Sequence, residues 1–190
     1  QNMLEDINRL TENINSILDL ARIESQNFGS EVTKDSLVKM VEVFCDKNGS
    51  LFRDLDIKIE NQSSSRLIYP VNLFLFEMLL MNIISNAIKY NDSAVPKLTI
   101  RFKKFMQKVV IEFIDNGIGV NKKEAKRIFR KFYQSVPKQK NSVSGSGLGL
   151  YLVSSIASIH GWKASVTSPG KGQGATFTIT IPRAGLSNVR

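Results

Sequence analysis

An apolar run at residues 72–90, "NLFLFEMLLMNIISNAIKY", contains Asn82, Asn86 and Lys89. Spacings of i, i+4 and i+7 set the three on one stripe of a helix, and Leu79, Leu80, Ile83, Ile84 and Ile88 fill its other sides as core. Carboxamides in apolar surroundings are costly unless something hydrogen-bonds or ligates them, so the stripe needs a partner. Two glycine clusters follow. "DNGIG" (115–119) comes directly off the strand-like "VVIEFI", so Asp115 stands at a strand end facing a pocket, and Gly117 and Gly119 let the backbone approach a ligand without Cβ interference. "GSGLGL" (145–150) opens a helix. The amides of Gly145, Ser146, Gly147, Leu148 and Gly149, with the helix N-terminus behind them, suit an anionic group.

Several phosphate loops are excluded. A Walker A loop requires Gly-Lys-Ser/Thr, which is absent. "GSGLGL" follows the polar "PKQKNSVS" and no strand, so it is not a dinucleotide fingerprint, and no "VAIK"-like strand accompanies it as in protein kinases.

The elements that must position these residues follow from periodicity. Residues 3 to about 24 form an amphipathic helix, with Met3, Ile7, Leu10, Ile14, Ile17 and Ala21 in a heptad seam that favours a helical bundle or coiled coil over docking on its own domain. "SQNFGSE" then acts as a hinge. Asp35 is the expected N-cap of a helix with Leu37, Val41 and Phe44 inward, stopped at Gly49. "LDIKIEN" and "RLIY" read as strands, and "KLTIRFKKF" with "KVVIEFI" as a hairpin around Met106 and Gln107. A helix is expected over roughly 122–132, then a polar loop, the helix "LGLYLVSSIASIH", and the strands "KASVTS" and "ATFTITIP". The fold class is α+β, a two-layer α/β sandwich with an N-terminal amphipathic helix.

Composition narrows the functional classes. With 190 residues, 42% hydrophobic and 23% charged, the chain suits one globular domain plus an appendage. A lone cysteine, Cys45, permits no internal disulfide and reads as a small core residue in a reducing setting. The oily run is interrupted by Asn72, Glu77, Asn82, Ser85 and Asn86, so it fails as a membrane span. The chain opens at Gln1 without a signal-peptide pattern, which reads as a piece of something longer. Much of the net charge of +9 lies in residues 122–140, where Glu124 is the one acid; a solvated face ranks ahead of a polynucleotide site.

Order and spacing carry a resemblance. Asn82-x3-Asn86-x2-Lys89, then "DNGIG", "IFRKFY" and "GSGLGL" resemble the N, G1, F and G2 boxes of the ATP-binding domain of sensor histidine kinases, in the Bergerat-fold superfamily shared with gyrase, Hsp90 and MutL. The similarity covers about residues 35–182, "GKGQGATFTITIP" is similar to the family's closing strand, and "LDLARIES" resembles the end of the second helix of its dimerisation hairpin. The resemblance implies residues 1–26 as that incomplete helix and 27–190 as the catalytic domain, with ATP and Mg²⁺ as cofactors. It makes Asn86 the Mg²⁺ ligand, Lys89 a phosphate contact, Asn82 the residue ordering metal-bound water, and Asp115 the acceptor for adenine's exocyclic amine. Tyr90, Lys131, Phe132 and Thr176 join the glycines around the nucleotide. Residues 121–146 become a lid, held down by Phe129 and Phe132. Gln134 stands where many relatives carry an arginine, leaving Arg130 or Lys131 to substitute. His160 is a helix terminator by position, since the resemblance puts the phosphoacceptor histidine outside the chain.

The partners so implied are a response-regulator receiver domain and the chain's own dimerisation helices in a homodimer, without nucleic acid, in a cytoplasmic setting where any membrane contact comes through parts outside this chain. Two rivals remain. A hydrolytic ATPase of the superfamily carries a glutamate where Asn82 stands, and Glu77, five residues away at about 100° each, lies far round the helix. A basic nucleic-acid module would bind without adenine preference and weaken steeply with salt.

Overall fold

The computed structural model describes residues 3–25, 29, 31–134 and 146–183. Helix α1 (Met3–Glu24) is followed by β1 (Thr33–Ser36), α2 (Leu37–Lys47), β2 (Asp56–Asn61), β3 (Ile68–Val71), α3 (Leu73–Lys89), β4 (Lys97–Lys104), β5 (Lys108–Asp115), α4 (Gly149–Ile159), β6 (Lys163–Thr167) and β7 (Thr176–Pro182). Five strands form one sheet in the order β2-β4-β5-β7-β6, with β2 parallel to β4 and the other pairs antiparallel. β1 and β3 form a separate antiparallel ribbon.

Alternation along the strands makes the sheet two-faced. Leu98, Ile100 and Phe102 of β4, Val109, Ile111 and Phe113 of β5, and Phe177, Ile179 and Ile181 of β7 point into a core that also takes Val41 and Phe44 of α2, Leu79, Leu80, Ile83 and Ile84 of α3, and Leu152, Val153 and Ile156 of α4. The other face carries ion pairs, with Arg101 2.8 Å from Glu60 and Lys103 2.9 Å from Glu112. The two-layer sandwich expected from the sequence is present. Asp115 continues the inward-facing series of β5, and its partner across the ladder is Leu98. Period two therefore aims a carboxylate at the helix layer at the point where the strand runs out.

The structure corrects three local expectations. Ser36, not Asp35, caps α2: β1 runs through Ser36, whose Oγ accepts from the Lys39 amide at 3.4 Å. Asp35 Oδ1 instead accepts from the Ser36 amide at 2.7 Å. The helix expected over 122–132 is a series of turns mixing three- and four-residue bonds, such as Arg127 N–H to Glu124 O and Ile128 N–H to Glu124 O. The ribbon strand β1, "TKDS", has no apolar alternation and was not anticipated.

Helix α1 shows two faces. Leu20 and Ile23 are buried in the domain core, whereas Ile7, Leu10, Ile14 and Ile17 of the seam are each more than half exposed. Among the described residues no helix is long and apolar enough to cross a membrane. Cys45 packs against the core, and burial pushes its thiol up to about 11.

Candidate nucleotide site

The polar stripe of α3 faces the opening of α4. Asn82 Nδ2 donates to Met78 O at 2.9 Å, one turn back, which fixes the amide and turns Oδ1 toward α4. A Cβ on Gly149 would lie 2.8 Å from that oxygen, so a side chain there would displace the Asn82 amide from its place beside the start of α4. Asn86, one turn further, is half-buried, and its side chain makes no hydrogen bond with the described residues. Lys89, also half-buried, ends the helix. Glu77 points elsewhere, to Lys47 of α2 at 3.7 Å.

Helix α4 opens with Leu148 at its N-cap and no side-chain cap hydrogen bond. The first-turn amides of a helix have no partner within it, and this end is oriented to receive an anion. Ser146 Oγ accepts from the Leu148 amide at 3.3 Å and shapes the approach. Gly147 lies against the backbone of Phe132 and Tyr133, where its Cβ would be 2.8 Å from the Phe132 carbonyl carbon. Gly145 lies outside the described residues.

At the sheet end, Asp115 Oδ1 accepts from the Gly117 amide at 2.9 Å and the Ala175 amide at 3.1 Å. Its Oδ2 takes no hydrogen bond from the described residues, so one acceptor oxygen remains. Burial raises the carboxyl above its ordinary value, and the amides of Gly117, Ala175 and Asp115 itself oppose the rise. The glycines of "DNGIG" do something other than expected. A Cβ on Gly117 would strike Tyr90 O, and one on Gly119 would strike Gly170 O. Both glycines therefore let backbone meet backbone, docking the loop on the end of α3 and on the turn before β7; the Ile118 amide donates to Tyr90 O at 3.0 Å. Tyr90 thus contributes its carbonyl here, with a side chain 40% exposed.

Sequence reasoning passed over three contributors. Asn116 accepts from Asn91 Nδ2 and the Lys97 amide, both at 2.8 Å, and donates to Val95 O, closing the loop beside Asp115. Ser168 Oγ joins Gly174 O at 2.7 Å and the Val120 amide at 3.1 Å. The Ala175 amide completes the Asp115 cradle, and the "GKGQG" turn was the available signal. Thr176 is not brought in: it pairs with Ile114, on the face opposite the Asp115 carboxylate.

The lid sequence is described through Gln134. Ile128 is buried, and Phe129 and Tyr133 pack on the core. Phe132, expected to press the lid down, is 62% exposed and holds φ at +60°, an outlier for a bulky side chain. Lys131 pairs with Glu24 of α1 at 2.9 Å and lies over the Phe132 and Tyr151 rings. His160 uses both nitrogens: Nδ1 donates to Ile156 O at 2.9 Å, and Nε2 accepts from the Asn72 amide at 3.1 Å, capping α3 from outside. It stacks on Trp162 at 4.4 Å, and burial lowers its pKa.

The profile of a family described as "Histidine kinase-, DNA gyrase B-, and HSP90-like ATPase" matches residues 73–185, more than half the chain. The chain belongs to that family. Membership implies ATP binding, and the matched span holds the α3 stripe, Asp115 and the α4 opening. Among curated relatives, the circadian input-output histidine kinase CikA of Synechococcus elongatus is 29% identical over 185 residues, covering 93% of this chain and 24% of that protein. The sensor-like histidine kinase SenX3 of Mycobacterium tuberculosis is 25% identical over 182 residues, covering 96% of this chain and 44% of that protein. The chain thus spans less than half the length of these relatives. Among solved structures, full-length ShkA in complex with AMPPNP has a TM-score of 0.74 at 21% identity, covering 94% of this chain and 36% of that one. The histidine kinase ThkA in complex with the response regulator protein TrrA has a TM-score of 0.72 at 18% identity, covering 97% of this chain and 50% of that one. At these identities the structures support the fold.

Proposed function

We propose that residues 27–190 are the ATP-binding catalytic domain of a two-component sensor histidine kinase, and residues 1–26 the incomplete second helix of its dimerisation and phosphoacceptor hairpin. The observation carrying the reading is the convergence of the α3 amide stripe on the uncapped opening of α4, with Asp115 at the adjoining sheet end. The exposed seam of α1 fits a helix that pairs with partner helices in a homodimer.

The residues fit MgATP. Asp115 Oδ2 accepts from the adenine amine while Oδ1 stays on its two amides. The α4 opening and Lys89 hold phosphate charge. Among the described residues no three His, Cys, Asp or Glu side chains cluster to hold a metal, so the Asn86 amide oxygen, together with phosphate oxygens, is the fitting ligand for Mg²⁺, a hard cation. Held by Asn86 beside the nucleotide, Mg²⁺ would supply positive charge to offset that of the phosphates. Asn82 orients water near Asn86 but supplies no base, and Glu77 is engaged by Lys47. The site is thereby suited to phosphoryl transfer, which asks mainly for positioning and charge stabilisation, rather than hydrolysis. The acceptor is a histidine on the missing hairpin helix, and the next acceptor a response-regulator receiver domain. This domain works on the cytoplasmic side, with any membrane contact through parts outside this chain.

Incubation with γ-labelled ATP tests the reading. The chain alone should turn ATP over slowly and take no label. Adding the parent's complete hairpin should give acid-labile, alkali-stable phosphohistidine on that hairpin, at a low rate because no tether raises its effective concentration. Rapid turnover by the chain alone would move it to the hydrolytic ATPases, and label on His160 would overturn the assignment of that residue.

A further inference from the structure

The sheet end remote from Asp115 carries a second charged concavity. β5 runs from Lys108 to Asp115, so at about 3.3 Å per residue the β4–β5 turn lies roughly 23 Å from the nucleotide site. There Arg66 from the β2–β3 connection, Lys104 ending β4, Lys108 starting β5 and Arg183 just past β7 line a cleft of about 130 Å³ with Tyr69 and Phe105. One water needs only about 10–15 Å³ of such space, so a hydrated oxyanion has room. Among the described residues no carboxylate lines the cleft.

The contrast with the neighbouring surface is informative. Arg101 and Lys103, a few residues earlier on β4, are both neutralised by Glu60 or Glu112. None of the four cleft cations forms an ion pair with a described residue. Three are nevertheless fixed by neutral partners. Lys104 Nζ donates to Ser65 Oγ at 2.7 Å, and a guanidinium nitrogen of Arg183 donates to Met106 O at 2.9 Å. Lys108 Nζ lies 5.4 Å from the centre of the Phe105 ring. These contacts hold the heads in place without compensating their charge, and each head keeps further donors. Arg183 also stands near enough to Tyr69 to oppose the rise that burial gives its phenol. Like charges gathered from four segments repel unless an anion joins them.

We propose that this cleft is a second anion site, separate from the nucleotide site, that receives the phosphate group of a ligand. Planar guanidinium forks on Arg66 and Arg183 match phosphate oxygens, and the two lysines add point charge. The phosphate can belong to a soluble ligand or to a phospholipid headgroup; Phe105, 49% exposed, and Met106, 87% exposed, adjoin the cleft at the hairpin tip.

Two probes separate the sources. Inorganic pyrophosphate is titrated into isotopically labelled protein while amide shifts are followed, and co-sedimentation compares phosphatidylglycerol with phosphatidylcholine vesicles. Shifts at Lys104, Phe105, Lys108 and Arg183 distinct from those around Asp115 indicate a soluble ligand. Selective sedimentation with phosphatidylglycerol, without such shifts, indicates a headgroup. In either case K104Q/R183Q should weaken binding by about tenfold or more. The control K47Q/R53Q removes the same charge at the opposite end of the domain and should leave binding within about twofold. Lys108→Gln alone serves if the double variant fails to fold. Equal losses in cleft and control variants, or no response to either probe, overturn the proposal.

Discussion

Asp115→Asn is the sharpest perturbation of the nucleotide site, because the structure dictates which way the new amide must face. The carboxylate presents Oδ1 to the Gly117 and Ala175 amides at 2.9 and 3.1 Å. An asparagine there keeps its oxygen on those two donors, because a flip would set an NH₂ group against two N–H groups. Its nitrogen then occupies the place of Oδ2 and meets the adenine amine donor to donor. Losing a hydrogen bond to a charged acceptor costs about 1.5–3 kcal/mol, about ten- to a hundredfold in affinity. The fold should remain intact, since the backbone cradle is satisfied. Asp115→Ala differs: it strips the acceptor from both amides, and two unsatisfied donors cost roughly 2 kcal/mol or more in stability, so its binding loss arrives mixed with a lower melting temperature.

Calorimetric titration of wild type and D115N with MgATP and MgGTP reads this directly, with thermal melts as the control. Guanine presents a carbonyl oxygen where adenine presents its amine, so the new donor should narrow the ATP-to-GTP ratio from both sides. A D115N protein that melts like wild type and binds ATP with unchanged affinity, or keeps the wild-type ratio, refutes the assignment of Asp115 to the base.

Three further outcomes are expected. Asn86→Ala should reduce the Mg²⁺ enhancement of ATP affinity by at least about tenfold with little change in melting temperature; equal enhancement in mutant and wild type would place the metal elsewhere. Glu24→Gln removes the acid that holds Lys131, so if Lys131 serves the phosphates, ATP affinity at low salt should rise severalfold, and K131Q in the same background should cancel the rise; no change on either substitution excludes Lys131 from the site. His160 has a folded pKa below the unfolded value near 6.5, so the unfolded chain binds the extra proton. Its contribution is complete above pH of about 6.5 and is lost as pH falls toward the lowered folded value; melts between pH 5 and 8 should show this slope in wild type and a flatter one in His160→Gln.

The sequence was most informative where polarity violated its surroundings. Asn82 and Asn86 stand out because most of their neighbours on α3 are apolar, and period 3.6 then fixes their common stripe whatever the tertiary context. Asp115 was legible for a related reason: alternation along β5 makes every odd-numbered side chain face the core, so a carboxylate ending that series has to meet either a ligand or a compensating donor. Alternation should equally have excluded Thr176, since Phe177, Ile179 and Ile181 claim the inner face of β7 and leave position 176 on the other side. The turns at 122–132 misled because three- and four-residue hydrogen bonds bring the same residues to one side, so their apolar spacing imitates a helix.

Glycine positions were found while their partners were not, and the reason is physical. A missing Cβ signals close approach, yet carries no information about what approaches, because the partner of Gly117 is the carbonyl of Tyr90 and that of Gly119 the carbonyl of Gly170. Main-chain atoms are common to every residue type, so no pattern in the sequence points to them. Gly149 is the instructive exception. Its neighbour is the side-chain oxygen of Asn82, and both residues were singled out independently, one for an amide in an oily helix and one for a glycine opening the next helix. A larger residue at position 149 would turn the Asn82 amide away from the uncapped end of α4 and break its hydrogen bond to Met78 O. The place of the Asn82 amide at the opening of α4, on which any shared hold on a phosphate chain depends, therefore rests on one absent methyl group.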